Sequence, residues 1–274
     1  MIMGMLASVC SVVLASCLLL TGCDAHEWSA YLETQGEIPS EIWGQLDEQT
    51  RNALAEGTKY VALTFDDGPR FETTSTLLDG LMERGAQATF FVIGTQVMCV
   101  GNEGLLERMV AEGHQVGNHT YSHERLVDAE VGRVVEEIQK NDIILKNVLG
   151  DGDYWLRPPY GLIDCTRAKQ VSTPMIYWTL DPEDWKWLDA QKVVELVTSQ
   201  VEAGDIILLH DFYPSSVEAA LEIIDRLQPL GFVFVTVEEL FDIYGIVPEN
   251  GVLYASPEEI REPVEHSNAG SRGA

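Results

Sequence analysis

The chain has 274 residues, enough for one large core or two small ones, and α/β barrels commonly fill this length as a single domain. Its 44 acidic side chains against 17 basic ones give a formal charge of −27. Such an excess repels phosphate backbones, argues against a nucleic-acid partner, and gives no electrostatic reason to adhere to anionic lipid or an anionic cell wall.

Residues 1–22 carry no charged side chain, and Met5 to Leu20 is a mainly apolar run, short for a membrane span but of the right length for a signal-peptide core. Leu20-Thr21-Gly22-Cys23 follows and resembles a bacterial lipobox, in which the cysteine is lipidated and becomes the mature N-terminus. The alternative is an uncleaved anchor helix, against which the polar residues that follow at once count. The usual basic segment ahead of the apolar run is missing, and Met1, Met3 and Met5 leave the start site open. With Cys23 modified, two acyl chains would hold the protein outside the cytoplasm on the bacterial cell membrane. Cys10 and Cys17 would leave with the leader, so Cys99 and Cys165 remain, either as a disulfide or as two buried thiols.

Asp24 to Pro39 reads as a polar tether. Ser40 then offers a helix cap, Ile42, Trp43, Leu46, Ala53 and Leu54 recur at helical spacing, and Gly57 supplies a stop. From Tyr60 strand-like and helical runs alternate. Strands are expected at Tyr60–Phe65, Ala88–Ile93, Gln115–Asn118, Tyr154–Leu156, Met175–Leu180, Asp205–Leu209 and Phe232–Val235. Helices are expected at Thr74–Arg84, stopped by Gly85, at Glu103–Glu112, at Ala129–Leu149, and near Ala168, Val193 and Ala220. This alternation predicts a parallel α/β architecture, open or barrel-shaped, in which ligands collect at the carboxyl ends of the strands. The domain boundaries that follow are 1–22 for the leader, 23–57 for tether and helix, 58–245 for the catalytic domain, and 246–274 for a Pro-, Glu-, Ser- and Gly-rich tail, partly disordered.

Polar residues gather at those strand ends. Thr64-Phe65-Asp66-Asp67-Gly68-Pro69 puts two carboxylates side by side, which repel each other unless a cation shares the site; an exposed Asp-Asp-Gly turn is the bland reading. His119 and His123 lie four residues apart, so one turn can aim both rings at one point, and two histidines with a carboxylate form a common catalytic zinc set. A surface pair or a satisfied core pair is the competing reading. Arg157, before two prolines, is a fixed charge able to keep a carboxylate ionised or to make a purely structural ion pair. His210 ends the apolar run Ile206–Leu209, where burial lowers its pKa and an acid such as Asp181 would raise it into the range of a proton donor; a core histidine bonded to backbone is the alternative. Trp185 and Leu208 are either ordinary core or walls of a small apolar pocket.

Together with Thr64 to Pro69, the segments His119 to His123, Arg157-Pro158-Pro159-Tyr160, Asp181-Pro182-Glu183-Asp184-Trp185 and Leu208-Leu209-His210-Asp211 resemble the five ordered motifs of the NodB-type polysaccharide deacetylases, carbohydrate esterase family 4. The resemblance covers about Lys59 to Tyr244. It implies a distorted (β/α) barrel and a divalent metal, usually zinc and sometimes cobalt or nickel. It also implies roles: Asp67, His119 and His123 would hold the metal, Asp66 would be the general base, and Arg157 would orient it. His210 would be the general acid and Asp181 would tune it. The Tyr160 N–H would help bind the oxyanion, and Trp185 and Leu208 would line the acetyl pocket. The expected function is removal of N-acetyl groups from N-acetylated glycans, foremost the GlcNAc or MurNAc of peptidoglycan, by a lipid-anchored monomer outside the cytoplasm. An O-acetyl esterase acting on a polysaccharide such as xylan, and a catalytically silent glycan-binding protein, are the alternatives. The full set of acid, base and ligands counts against the silent one.

Overall fold

The computed structural model describes residues 58–102 and 104–265. The leader, Cys23, the helix expected at 40–57 and residues 266–274 lie outside them. No helix among the described residues is long and apolar enough to cross a membrane.

Strand β1 (Lys59–Asp66) is central, and Val61 to Asp66 are buried along it. β2 (Ala88–Val92) and β5 (Ile206–His210) run parallel to its second half, on either side, while β6 (Phe232–Phe234) pairs with its first three residues. β3 (Gln115–Asn118) extends the sheet beyond β2. Closure comes through very short contacts. Leu156 bridges Asn118 and Met175, β4 is only Met175–Ile176, and Leu180 bridges Ile207 of β5. The circuit β1, β2, β3, Leu156, the Met175–Leu180 segment, β5 and back to β1 is a distorted parallel barrel.

The thin staves have a physical cause. Tyr154–Leu156 was expected as a strand, but Pro158 and Pro159 follow Arg157 directly and bring no N–H to continue a ladder. The expected strand Met175–Leu180 stops after Ile176 because the Arg157 guanidinium takes the carbonyls of Ile176 and Tyr177, through Nε at 3.3 Å and Nη2 at 2.8 Å.

Helices cover the outside. α1 (Phe71–Arg84) ends at Gly85, whose φ of 60° lets its N–H cap Leu81 and Met82, as the glycine stop predicts. α2 (Gly94–Val97), α3 (Leu105–Ala111), α4 (Val131–Leu149), α5 (Cys165–Ala168), α6 (Asp184–Trp187), α7 (Ala190–Thr198), α8 (Pro214–Leu227) and α9 (Val237–Ile243) follow. Alternation along β1 divides its side chains. Leu63 and Phe65 pack outward with Leu77, Leu81, Ile223 and Ile224 of α1 and α8, whereas Ala62 packs with Phe91, Ile176 and Ile206. Thr64 and Asp66 share the face of Ala62, so the apolar floor gives way to polar groups toward the strand ends.

One expected boundary is corrected. Within the 246–274 stretch, β7 (Leu253–Ser256) pairs with β4, and β8 (Glu259–Ile260) folds back on it. Its buried run Leu253, Tyr254 and Ala255 is too short to stand out from the Pro- and Glu-rich composition around it. Cys99 and Cys165 are free and exposed, so neither the disulfide nor the buried-thiol expectation holds.

Candidate active site

The carboxyl end of β1 places Asp66 at the end of a strand and Asp67 in a left-handed turn, φ 72°. Asp66 is buried, and its Oδ1 accepts from Arg157 Nη1 at 2.8 Å. The same Nη1 reaches Thr64 Oγ1 at 2.7 Å, and the guanidinium lies 4.1 Å from the Phe91 ring centroid. Arg157 is fully buried, yet each of its nitrogens finds an acceptor, which is the condition for carrying a buried charge. Burial pushes the Asp66 carboxyl up, but the charges of Arg157, His119 and His210 and the bond from Arg157 outweigh it and hold the group below its usual range. Asp66 is therefore a carboxylate with one oxygen occupied and the other, Oδ2, 3.5 Å from His119 Nε2.

His119 and His123 leave β3 through a tight loop in which Thr120 (φ 67°) and His123 (φ 60°) are also left-handed. A left-handed β-branched residue costs on the order of 1–3 kcal/mol and persists only where its surroundings hold it. Here they do. Thr120 N–H donates to Asn118 Oδ1 at 2.7 Å, its carbonyl accepts from Gly94 N–H, and its Oγ1 accepts from His123 N–H. Asn141 bonds Asn118 and the Val92 carbonyl behind the loop. Glu137, fully buried on α4, accepts the Ser122 N–H at 2.8 Å through Oε2, and Arg133 holds its Oε1. The sequence reading passed over Glu137 because a glutamate inside an amphipathic helix reads as solvated face.

The Nδ1 of His119 is hydrogen-bonded to the Arg157 carbonyl at 2.7 Å, which turns Nε2 toward Asp67. His123 is pushed down to about 4 by burial first and then by the neighbouring His119, so its ring is neutral near pH 7. Asp67 Oδ1 lies 3.5 Å from His119 Nε2 and 3.3 Å from His123 Nε2, and is buried without a hydrogen-bond donor. Ligand atoms of Asp67, His119 and His123 all fall within 4.8 Å of one another. Lone pairs converging around an orphaned carboxylate oxygen fit a divalent cation, and two histidines with one carboxylate suit zinc or a similar metal and leave a position for water.

Across the mouth, Leu208 and His210 share one face of β5, two residues apart. The acid on His210 is Asp184, not Asp181. Asp184 Oδ1 accepts from Nδ1 at 2.8 Å, and Oδ2 accepts the His210 N–H at 2.9 Å. Asp181 is turned to its own loop, where Oδ1 accepts the Glu183 N–H at 2.9 Å. The cause is local: Glu183 is left-handed (φ 54°), which swings the buried Asp184 inward at the start of α6. Both acids sit in the Asp181-to-Trp185 segment, so spacing alone could not choose between them. Burial lowers the pKa of His210, but the bond and charge of Asp184, with the charges of Asp66 and Asp67, raise it to about 9.

Tyr160 is left-handed (φ 60°) and half-exposed, its ring 4.7 Å from that of His123. The turn's own hydrogen bonds run from the N–H groups of Gly161 and Leu162 to Pro158 and Pro159, passing over the Tyr160 N–H. Leu208 is buried, and Trp185, next to Asp184, is 43% exposed.

The family model for polysaccharide deacetylase matches residues 54–174. The peptidoglycan-N-acetylmuramic acid deacetylase PdaC of Bacillus subtilis is 39% identical over 185 residues, 68% of this chain and 39% of that protein. Among solved structures, the T48 deacetylase with substrate aligns at a TM-score of 0.68 and 38% identity, over 73% of this chain and 98% of that one. A family 4 acetyl xylan esterase from Clostridium thermocellum in complex with a cobalt ion aligns at 0.69 and 31%, over 73% and 100%. The chain spans about two fifths of the length of the peptidoglycan deacetylases of Listeria monocytogenes and Bacillus subtilis that it matches.

Proposed function

We propose, for a chain that belongs to the polysaccharide deacetylase family of the NodB type, a metal-dependent hydrolase that removes N-acetyl groups from glycans outside the cytoplasm, with peptidoglycan as the substrate. The observation that carries the chemistry is the pairing across one mouth of a carboxylate kept ionised and a histidine kept protonated. The substrate assignment is supported by the peptidoglycan deacetylase among its relatives. The lipobox-like Leu20-Thr21-Gly22-Cys23 supports lipid anchorage at Cys23, on the cell membrane, of a monomer whose catalytic domain starts near residue 58 and runs on through β7 and β8.

Asp67, His119 and His123 would hold the metal, zinc in this proposal, with cobalt or nickel able to substitute. When bound, the ion supplies the positive charge that acidifies a water and steadies charge developing on a carbonyl oxygen. Asp66 takes the proton of the attacking water. Arg157 fixes its Oδ1 and leaves Oδ2 toward the site. The Tyr160 N–H donates to the oxyanion, and Trp185 and Leu208 enclose the acetyl methyl. An amide expels its nitrogen only as a protonated amine. His210, tied at Nδ1 to Asp184, has its Nε2 proton for that transfer. Asp181 supports the Glu183 turn and makes no hydrogen bond to His210.

The test is acetate release by the full chain, loaded with zinc or cobalt, from chitooligosaccharides and from peptidoglycan. Release from peptidoglycan is expected; no release from any N-acetyl glycan with metal bound ends this reading. The similarity to an acetyl xylan esterase supports a second reading, cleavage of O-acetyl esters. An alkoxide leaves without full protonation, so His210→Ala should impair amide cleavage far more than ester cleavage.

A further inference from the structure

Beyond the Asp67–Arg70 turn lies a second cavity, of about 390 Å³, that the deacetylation chemistry leaves unused. Arg70, Phe71, Glu72, Gln96, Asn102 and Phe212 line it. Arg70 follows Asp67 by three residues and Phe212 follows His210 by two, so the cavity opens on the same edge of the barrel as the candidate active site. Its walls are fixed to that site. The Thr74 hydroxyl accepts the Arg70 N–H at 2.8 Å and donates to the buried Asp211 carboxylate, joining the turns after β1 and β5. Asp211 packs so closely on Gly68 that a Cβ there would collide with it. On the other wall, buried Asn102 donates through Nδ2 to the carbonyls of Pro69, at 2.9 Å, and Gln96, at 2.8 Å.

Within this frame the Arg70 guanidinium is stacked 4.6 Å from the centroid of the Phe212 ring. Its ion pair with Glu72 is 3.9 Å long and solvent-exposed, the kind that contributes little and that a bidentate carboxylate displaces. Phe71 and Val100, 54% and 96% exposed, line the same cavity and offer apolar contact beside the guanidinium. In a chain of net charge −27 an anionic polymer approaches against repulsion, so a guanidinium held on an aromatic face is a local point of attraction.

We propose that this cavity is a subsite for a carboxylate carried on the unit adjoining the acetamide-bearing sugar, with Arg70 as its specificity-determining residue. The proposal rests on the deacetylase reading of the neighbouring site. In this proposal the polymer runs from the acetamide at His210 past the Asp67–Arg70 turn, whose three residues of chain span no more than about 10 Å, within reach of the adjoining unit. The carboxylate belongs either to that sugar itself or to a peptide attached to it; the chemistry recognised is the same.

The test uses the full metal-loaded chain and pairs of N-acetyl oligosaccharides that differ only in a carboxylate or its primary amide. One pair carries the group on the adjoining sugar, the other on an attached peptide. The carboxylate form should have about tenfold higher kcat/KM, expressed in KM, for the pair that matches the natural source. Arg70→Gln should erase that preference and Arg70→Lys recover part of it. Equal kcat/KM within both pairs, or a preference that survives Arg70→Gln, overturns the subsite. If no oligosaccharide is deacetylated, the catalytic reading fails separately. Calorimetric binding of the same pairs then decides the subsite: tighter carboxylate binding lost in Arg70→Gln supports it, and equal binding overturns it.

Discussion

The two walls of the mouth are built on different principles. On the β1–β3 wall, Asp67, Thr120 and His123 are all left-handed, and the ligand side chains point inward only because Asn118, Asn141 and Glu137 hold the loop from behind. On the β5 wall, His210 ends a regular strand, and a single left-handed residue, Glu183, brings Asp184 to it. The first wall spends strain on position and the second uses one carboxylate to set a protonation state. Damage to the first should therefore appear as lost metal, and damage to the second as lost turnover with metal retained.

The largest effect should come from His119→Ala, which removes a ligand: metal content and acetate release should vanish together. Retained metal with lost turnover would place His119 outside the ligand set. His210→Ala should keep metal and lower amide turnover by about 10²- to 10⁴-fold, the usual range for a positioned acid. Glu137→Ala should weaken metal affinity by about 10- to 100-fold, as losses behind metal ligands do, measured by titration with cobalt. Glu137→Gln should recover much of this, since an amide oxygen can still accept from Ser122 N–H.

The smallest change is a shift in pH dependence. His210 is raised to about 9 with Asp184 as its hydrogen-bond partner, so its acid form is present below that pH and is lost as pH rises through it. A bound cation adds positive charge nearby and draws the alkaline limb to lower pH. Asp66, held below its usual range, stays ionised down to acidic pH and sets the acid limb. In Asp184→Asn burial acts without its main opponent, so the alkaline limb of the kcat profile should move toward neutral pH. An unmoved limb would leave Asp184 a merely structural partner.

Much of this was legible in the sequence because the signals were local. Gly85 marked the end of α1, the apolar runs marked β1, β2 and β5, and the rule of strand carboxyl ends grouped Asp66, Asp67, His119, His123, Arg157 and His210, which the structure brings together. What was not legible depended on backbone direction or on long-range partners. The choice between Asp181 and Asp184 turns on the φ of Glu183. Glu137 owes its importance to a backbone N–H 15 residues away. The thinning of the barrel after Leu156 and Ile176 follows from proline and from the reach of Arg157, and β7 exists because β4 offers it an edge.

The division of labour between the adjacent aspartates is the centre of the account, and one measurement addresses it. Asp66→Asn and Asp67→Asn, prepared as full chains, are titrated with cobalt, and the same samples are assayed for acetate release from an N-acetyl glycan. Asp66→Asn should bind cobalt as the wild type does and release no acetate, while Asp67→Asn should lose the metal. Equal loss of cobalt in both, or loss in Asp66→Asn alone, would contradict it.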